Sequence, residues 1–258
     1  MGIGLAYARE FAARGLDVLN IAEVADPLVD VCEQIAAEHR VEVRPLVLDL
    51  GSPDLQEVLQ RETAGLDVGL VVCSAARVFM GSFLDQSLED KLALLDVNCR
   101  AALILAHEFA APMAARGRGG IIFMSSLSGL VGTPFVTAYA SSKAFEMILG
   151  EALWSELGPR GVDVLSVIAG TTRTPGFEST GHRSGRFSPP VMEPKDVVAE
   201  SLEALGRQPS LVPGRVNRLT QALLSRILPR KRAVETLRRS MQAQFGEEIA
   251  GNAARPRE

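Results

Sequence analysis

Tyr139 and Lys143 stand four residues apart in Tyr139-Ala140-Ser141-Ser142-Lys143, and Ser126 lies thirteen residues before the tyrosine. Side chains four apart on a helix share a face, so an ammonium can sit beside a phenol and favour its ionised form. A phenol in that setting can give and take a proton. Ser126 closes the apolar run Gly120-Ile121-Ile122-Phe123-Met124-Ser125-Ser126, which would put its hydroxyl at the mouth of a buried strand. Together these groups could grip a carbonyl oxygen and exchange a proton with it. The same four-residue spacing also occurs on ordinary helices with a solvated lysine, so the elements around these residues have to decide.

Those elements alternate. Residues 4–14, 28–39, 86–115, 137–158 and 193–207 read as helices, and residues 17–22, 42–48, 66–73, 121–125, 162–168 and 209–214 as strands or apolar runs. Strands separated by helices require parallel pairing through crossovers, hence a doubly wound α/β sheet. A chain of 258 residues suits one such domain. Residues 170–192 break the rhythm: seven glycines and prolines make a long loop after a strand, a place where loops often cover ligands. Its Phe177, Phe187, Val191 and Met192 suggest an apolar substrate such as a lipid or steroid.

Composition excludes several classes. With 47% hydrophobic and 22% charged residues the chain is ordinary globular material, and a net charge of −4 gives no general attraction to nucleic acid. No apolar run approaches the roughly 18 residues of a membrane span, and the amino end has no basic start followed by an apolar stretch. Cys32, Cys73 and Cys99 have no paired metal-ligand spacing, and the apolar setting of Cys73 and Cys99 suits buried free thiols in a reducing cytoplasm.

Over most of residues 1–215 the chain resembles the short-chain dehydrogenase/reductase family. Asn98 in Leu95-Asp96-Val97-Asn98, Ser126, Tyr139 and Lys143 match that family's catalytic tetrad in order and spacing. The resemblance implies a Rossmann-type fold, a nicotinamide cofactor, a small-molecule alcohol or ketone as substrate, and a homo-oligomer. It implies that Tyr139 exchanges a proton with the substrate oxygen as hydride moves to or from the nicotinamide. Lys143 would assist the tyrosine and bond the nicotinamide ribose, Ser126 would orient the substrate oxygen, and Asn98 would hold a relay water or simply fix its helix.

For the cofactor, the resemblance implies contacts from Gly2, Ile3 and Gly4 to the pyrophosphate, Asp49 to the adenine, and Gly170 and Thr174 beside the nicotinamide, with Tyr139 and Lys143 also touching it. Asp49 could equally cap a helix, and Thr174 could merely shape a turn. The family's Asn-Asn-Ala-Gly reads Cys73-Ser74-Ala75-Ala76 here, so Ala75 alone keeps its place. Glu23, at the end of the strand 17–22, would face the adenosine ribose; a carboxylate there accepts bonds from ribose hydroxyls and repels a 2′-phosphate, which leans the choice between NAD and NADP toward NAD.

The family's first strand and first glycine are not matched, since this chain opens Met1-Gly2-Ile3-Gly4. The expectation is a sheet lacking its first, central strand, with unpaired edges on both neighbours. A start upstream of Met1 is one hypothesis for this. A native start at Met1 is the other, and an intact mass of the protein from its natural source tells them apart. The second leaves room for a cofactor-deficient, non-catalytic relative that acts as a scaffold or regulatory binding protein. The four tetrad residues argue for the enzyme.

Residues 216–245 read as basic amphipathic helices split at Pro229, and residues after 246 as a disordered tail. Nine basic residues between 207 and 239 face Glu235 alone, beside an apolar stripe of Leu219, Leu223, Leu224, Ile227 and Leu228. Such helices either dock on a protein body or rest on an anionic membrane surface, and docking is the commoner outcome.

Overall fold

The structure is a computed structural model, and it describes residues 2–178 and 190–246. Phe187 of the expected lid and the tail beyond residue 246 lie outside the described residues. The order is α1 (Ile3–Ala13), β1 (Val18–Ala22), α2 (Ala25–His39), β2 (Val43–Val47), α3 (Leu55–Glu62), β3 (Leu70–Cys73), α4 (Leu88–Leu95), α5 (Ala101–Arg116), β4 (Gly119–Ser126), α6 (Thr137–Leu157), β5 (Val162–Ala169), α7 (Pro175–Glu178), α8 (Pro194–Ala204), β6 (Ser210–Leu211), α9 (Arg215–Ala222) and α10 (Arg230–Phe245). The predicted long helix 86–115 is thus α4 and α5 joined through a π-turn, Asp96–Arg100. Helix α3 and the short α7 were not expected. The apolar run 66–73 forms a strand only from Leu70.

All strand pairs are parallel, and β3-β4-β5-β6 form one ladder in that order. Alternation along β4 decides the layers. Ile121 and Phe123 turn to one face, where Leu105, Phe109 and Met113 of α5 and Leu149 of α6 pack on them. Ile122 and Met124 turn to the other, against Tyr7 of α1 and Val197 and Val198 of α8. A strand buried on both faces reads as a continuous apolar run, which is what Gly120 to Met124 shows.

Strands β1 and β2 form a separate two-stranded ladder with its own core, in which Leu28, Val31 and Ile35 of α2 meet Ala8 and Ala12 of α1. Among the described residues no strand pairs with the facing edges of β1 and β3. Both edges line one cleft of about 2140 Å³, with Leu19 and Ile21 on one side and Leu70 and Val72 on the other. Helix α1 holds the two ladders together, giving Tyr7 to one core and Ala8 and Ala12 to another.

At the carboxyl end, Leu224 and Ala233 are buried against Val131, joined by Leu228 and Leu237, and Arg230 donates to the Leu130 carbonyl. Leu224 and Leu228 therefore dock on the body. The rest of the expected stripe does not: Leu219, Leu223 and Ile227 are exposed, together with Val216.

Candidate active site

Parallel β4 and β5 end side by side, with Ser126 opposite Ala169, so the loops that follow both strands open on the same edge of the sheet. Ser126 Oγ lies 3.1 Å from Ser128 Oγ and accepts the Ser128 backbone N–H, which holds its hydroxyl at the start of the loop. Helix α6 crosses behind. Gly129 is required there, because a Cβ would come within 2.7 Å of the Ala144 backbone nitrogen. This close approach lets the half-buried Tyr139 line the same cleft as Ser126.

Lys143 is buried. Its Nζ lies 5.6 Å from the centre of the Tyr139 ring, so ammonium and phenol do share a helix face. The ammonium donates to the Met124 carbonyl at 2.8 Å and to both oxygens of Glu146, at 3.0 and 2.8 Å. Ser125 Oγ donates to the Lys143 carbonyl and ties β4 to α6. Burial pulls the Lys143 pKa down, but the neighbouring Glu146, Tyr139 and Cys99 outweigh it and leave the ammonium more firmly protonated than usual. Burial pushes the Glu146 carboxyl up to about 7 against the pull of Lys143.

Asn98 is fully buried on the π-turn, a local widening that is frequent at functional sites. Its Oδ1 accepts the Arg77 backbone N–H at 2.8 Å, while Nδ2 donates to the Arg77 carbonyl and to Ser142 Oγ, each at 2.9 Å. The carboxamide thereby ties the loop after β3 to α6.

Of the positions expected to hold a dinucleotide, all but Asp49 line the same cleft. Gly2, Ile3 and Gly4 open α1, whose first turn carries no acidic residue, so its unpaired N–H groups suit an anion. A Cβ on Gly4 would lie 3.0 Å from Ser74 Oγ, and one on Gly2 3.4 Å from Thr174 Cγ2, so the helix start fits closely between the loops after β3 and β5. Gly170 is just as tightly placed: a Cβ would lie 2.5 Å from Asn217 Nδ2. Thr174 Oγ1 accepts the Phe177 N–H and caps the short α7. Asp49 accepts the Gly51 N–H, closing a turn six residues before α3 begins at Leu55 rather than capping that helix. Ala75 is exposed beside this group. A helix start with unpaired N–H groups beside closely packed glycines fits a dinucleotide's phosphates, so the lining suits a nicotinamide dinucleotide.

Two charged residues escaped the sequence reading. Arg77 reaches Glu23 at 3.1 Å and Asp49 at 3.4 Å, bridging both carboxylates expected at the adenosine. Nothing in the sequence pairs residues so far apart. Glu146 sits three residues after Lys143, a spacing that places it on the same helix face and could have been noticed. Of the expected lid, Phe177, Val191 and Met192 are described, Phe177 within the short α7. The Arg173 N–H donates to the Met192 carbonyl and the Met192 N–H to the Thr171 carbonyl across the ends of the segment, and Arg173 also pairs with Glu193.

The profile of the family described as short chain dehydrogenase matches residues 1–184. The chain is 32% identical over 217 residues to a 7beta-hydroxysteroid dehydrogenase of Clostridium sardiniense, covering 84% of this chain and 83% of that one. A very-long-chain 3-oxoacyl-CoA reductase of Bos taurus is 30% identical over 171 residues, 65% of this chain and 55% of its own. Among solved structures, one from a study of 7beta-hydroxysteroid dehydrogenase stereoselectivity superposes with a TM-score of 0.84 at 27% identity, covering 92% of each chain. A short-chain dehydrogenase from Sphingobium yanoikuyae in complex with NADPH gives 0.75 at 27%, covering 88% of this chain and 92% of that one. The chain belongs to the short-chain dehydrogenase family. It is an NAD(P)-dependent oxidoreductase that interconverts an alcohol and a carbonyl.

Proposed function

We propose that the substrate is a bulky, apolar secondary alcohol or its ketone, of the steroid or long-chain lipid kind, and that Tyr139 is the general acid/base. The observation that carries this reading is the shared cleft: Ser126 and Tyr139 open onto the same space as Val78, Met80, Leu127 and Val136. Apolar walls with few convergent polar groups suit such a ligand. The relatives act in the same range, one on a hydroxysteroid and one on a very-long-chain oxoacyl group.

When bound, the nicotinamide accepts or supplies the hydride. The chain's own residues do the rest. Ser126 donates a hydrogen bond to the substrate oxygen and fixes its direction. Tyr139 passes its phenolic proton to that oxygen in reduction and takes it back in oxidation. Lys143 supplies positive charge beside the phenol. Asn98 keeps Arg77 and Ser142 in register so that the cleft holds its shape, and a second lone pair on its Oδ1 remains for a relay water. Tyr139→Phe should lower turnover by about 10³-fold with cofactor affinity and fold unchanged. Wild-type turnover in that variant would remove Tyr139 from the mechanism.

NAD remains the favoured cofactor. Arg77 offsets part of the charge of Glu23 and Asp49, but the trio keeps a net negative charge that opposes a 2′-phosphate. Three free thiols, Cys32, Cys73 and Cys99, support a reducing cytoplasmic setting. For partners, the exposed Val216, Leu219, Leu223 and Ile227 suit a second copy of this chain better than a lipid surface. The neighbouring Arg218 is tied to Glu200 and Arg230 to Leu130, so neither is free for lipid headgroups.

A further inference from the structure

Glu146 is a carboxylate with 1% exposure at the centre of the molecule, and the mechanism above gives it no task. An ammonium has three donors. In Lys143 all three are committed, one to the Met124 carbonyl and two to the Glu146 oxygens. None is left over for a ribose hydroxyl, and the lysine is too deeply buried to find one without letting go of a partner. The carboxylate also opposes the positive charge that Lys143 presents to the Tyr139 ring, 5.6 Å away.

We propose that Glu146 is a positioning residue for the reaction: it holds Lys143 in a resting pose, gives up one hydrogen bond when the cofactor ribose arrives, and tempers the charge the lysine presents to Tyr139. The Met124 carbonyl is backbone and fixed by β4, so the exchange must occur on the Glu146 side. The other titratable groups facing Glu146 are Cys73 of β3 and Cys99 of the π-turn. Burial first, and then the charge of Glu146, raises both thiols, that of Cys99 to about 11, so both stay neutral around pH 7 and Lys143 is the group through which Glu146 acts. The inference rests on the reading of Tyr139 and Lys143 as the proton-handling pair.

Glu146→Gln keeps the shape but offers one acceptor where the carboxylate offers two, which frees one lysine donor. NADH, followed by its fluorescence above about pH 8 where Glu146 is ionised, should then bind about fivefold more tightly, the effect of one added hydrogen bond. The acid limb of the pH profile for alcohol oxidation should move down by about one unit as the ammonium's charge goes unopposed. Glu146→Asp, which keeps the charge, should return the pH limb toward that of the wild type. Wild-type NADH affinity together with an unmoved pH limb in a folded Glu146→Gln protein would overturn the proposal. If Tyr139→Phe abolishes turnover while Glu146→Gln changes neither readout, only this inference fails; if Tyr139→Phe is fully active, the underlying reading fails. Should Glu146→Gln not fold, the carboxyl carbon resonance of Glu146 in the labelled wild-type protein decides: it should shift on adding NADH, and an unmoved resonance would overturn the exchange.

Discussion

Burial of the Glu146 carboxyl makes the stability of this protein depend on pH. Its pKa is raised from 4.5 to about 7, so the folded state holds its proton more tightly than the unfolded chain. The stabilisation this provides is complete below 4.5 and is lost as pH rises through about 7. The Lys143 shift is also upward, but it acts only above the lysine's ordinary range and leaves this window untouched. The stability of the wild type relative to Glu146→Gln should therefore fall as pH rises across the window, measured by urea unfolding at its two ends. A difference that does not vary with pH would remove burial as the cause. At this scale the types and spacing of Ser126, Tyr139 and Lys143 suggested a proton-exchanging group from the sequence, while Asn98 came only from the resemblance to the family. Glu146 was within reach by its type and spacing, being one turn along the helix. Arg77 was not, because its partners Glu23 and Asp49 come from other strands and only the folded sheet brings them together.

The elements were legible where one periodicity dominated. Strand β4 is apolar from Ile121 to Met124 because both faces are buried, and α2 carries Leu28, Val31, Cys32 and Ile35 on one stripe. The π-turn was hidden because widening a helix by one residue per turn leaves no mark in composition. Helix α3 was missed because only Leu55 and Leu59 of its eight residues are buried, too few for a clear period. The carboxyl-terminal stripe was read as a single face, yet the structure divides it. Leu224 and Leu228 turn inward, and Leu219, Leu223 and Ile227 turn out, since a π-turn at Leu223–Ile227 rotates the face partway along. That outward face carries a prediction. Paired Leu219→Asp and Ile227→Asp changes should leave circular dichroism intact and convert the sedimenting species from dimer to monomer. A wild-type chain that sediments as a monomer, and pellets with anionic vesicles instead, would assign the face to a lipid surface.

Across the whole molecule, two ladders meet at a cleft instead of pairing. The β1–β2 ladder relies on its contacts with α1 and α2, while β4 and β5 share eight paired residues and helices on both faces. Segments with fewer buried contacts open at lower free energy. Amides of Val18–Ala22 should thus exchange with solvent at least tenfold faster than those of Ile121–Ser125 and Val164–Ile168, and equal protection would mean that the two ladders unfold as one unit. The doubly wound parallel architecture was legible from the alternation of helices and strands.

The central claim is that the cleft between α1 and Tyr139 binds a nicotinamide dinucleotide for exchange between an alcohol and a carbonyl. Titrating this chain with NADH and, separately, NADPH while following nicotinamide fluorescence tests it most directly. The account predicts saturable binding of both, tighter for NADH because Glu23 and Asp49 outweigh Arg77. Well-folded protein that binds neither cofactor would contradict it.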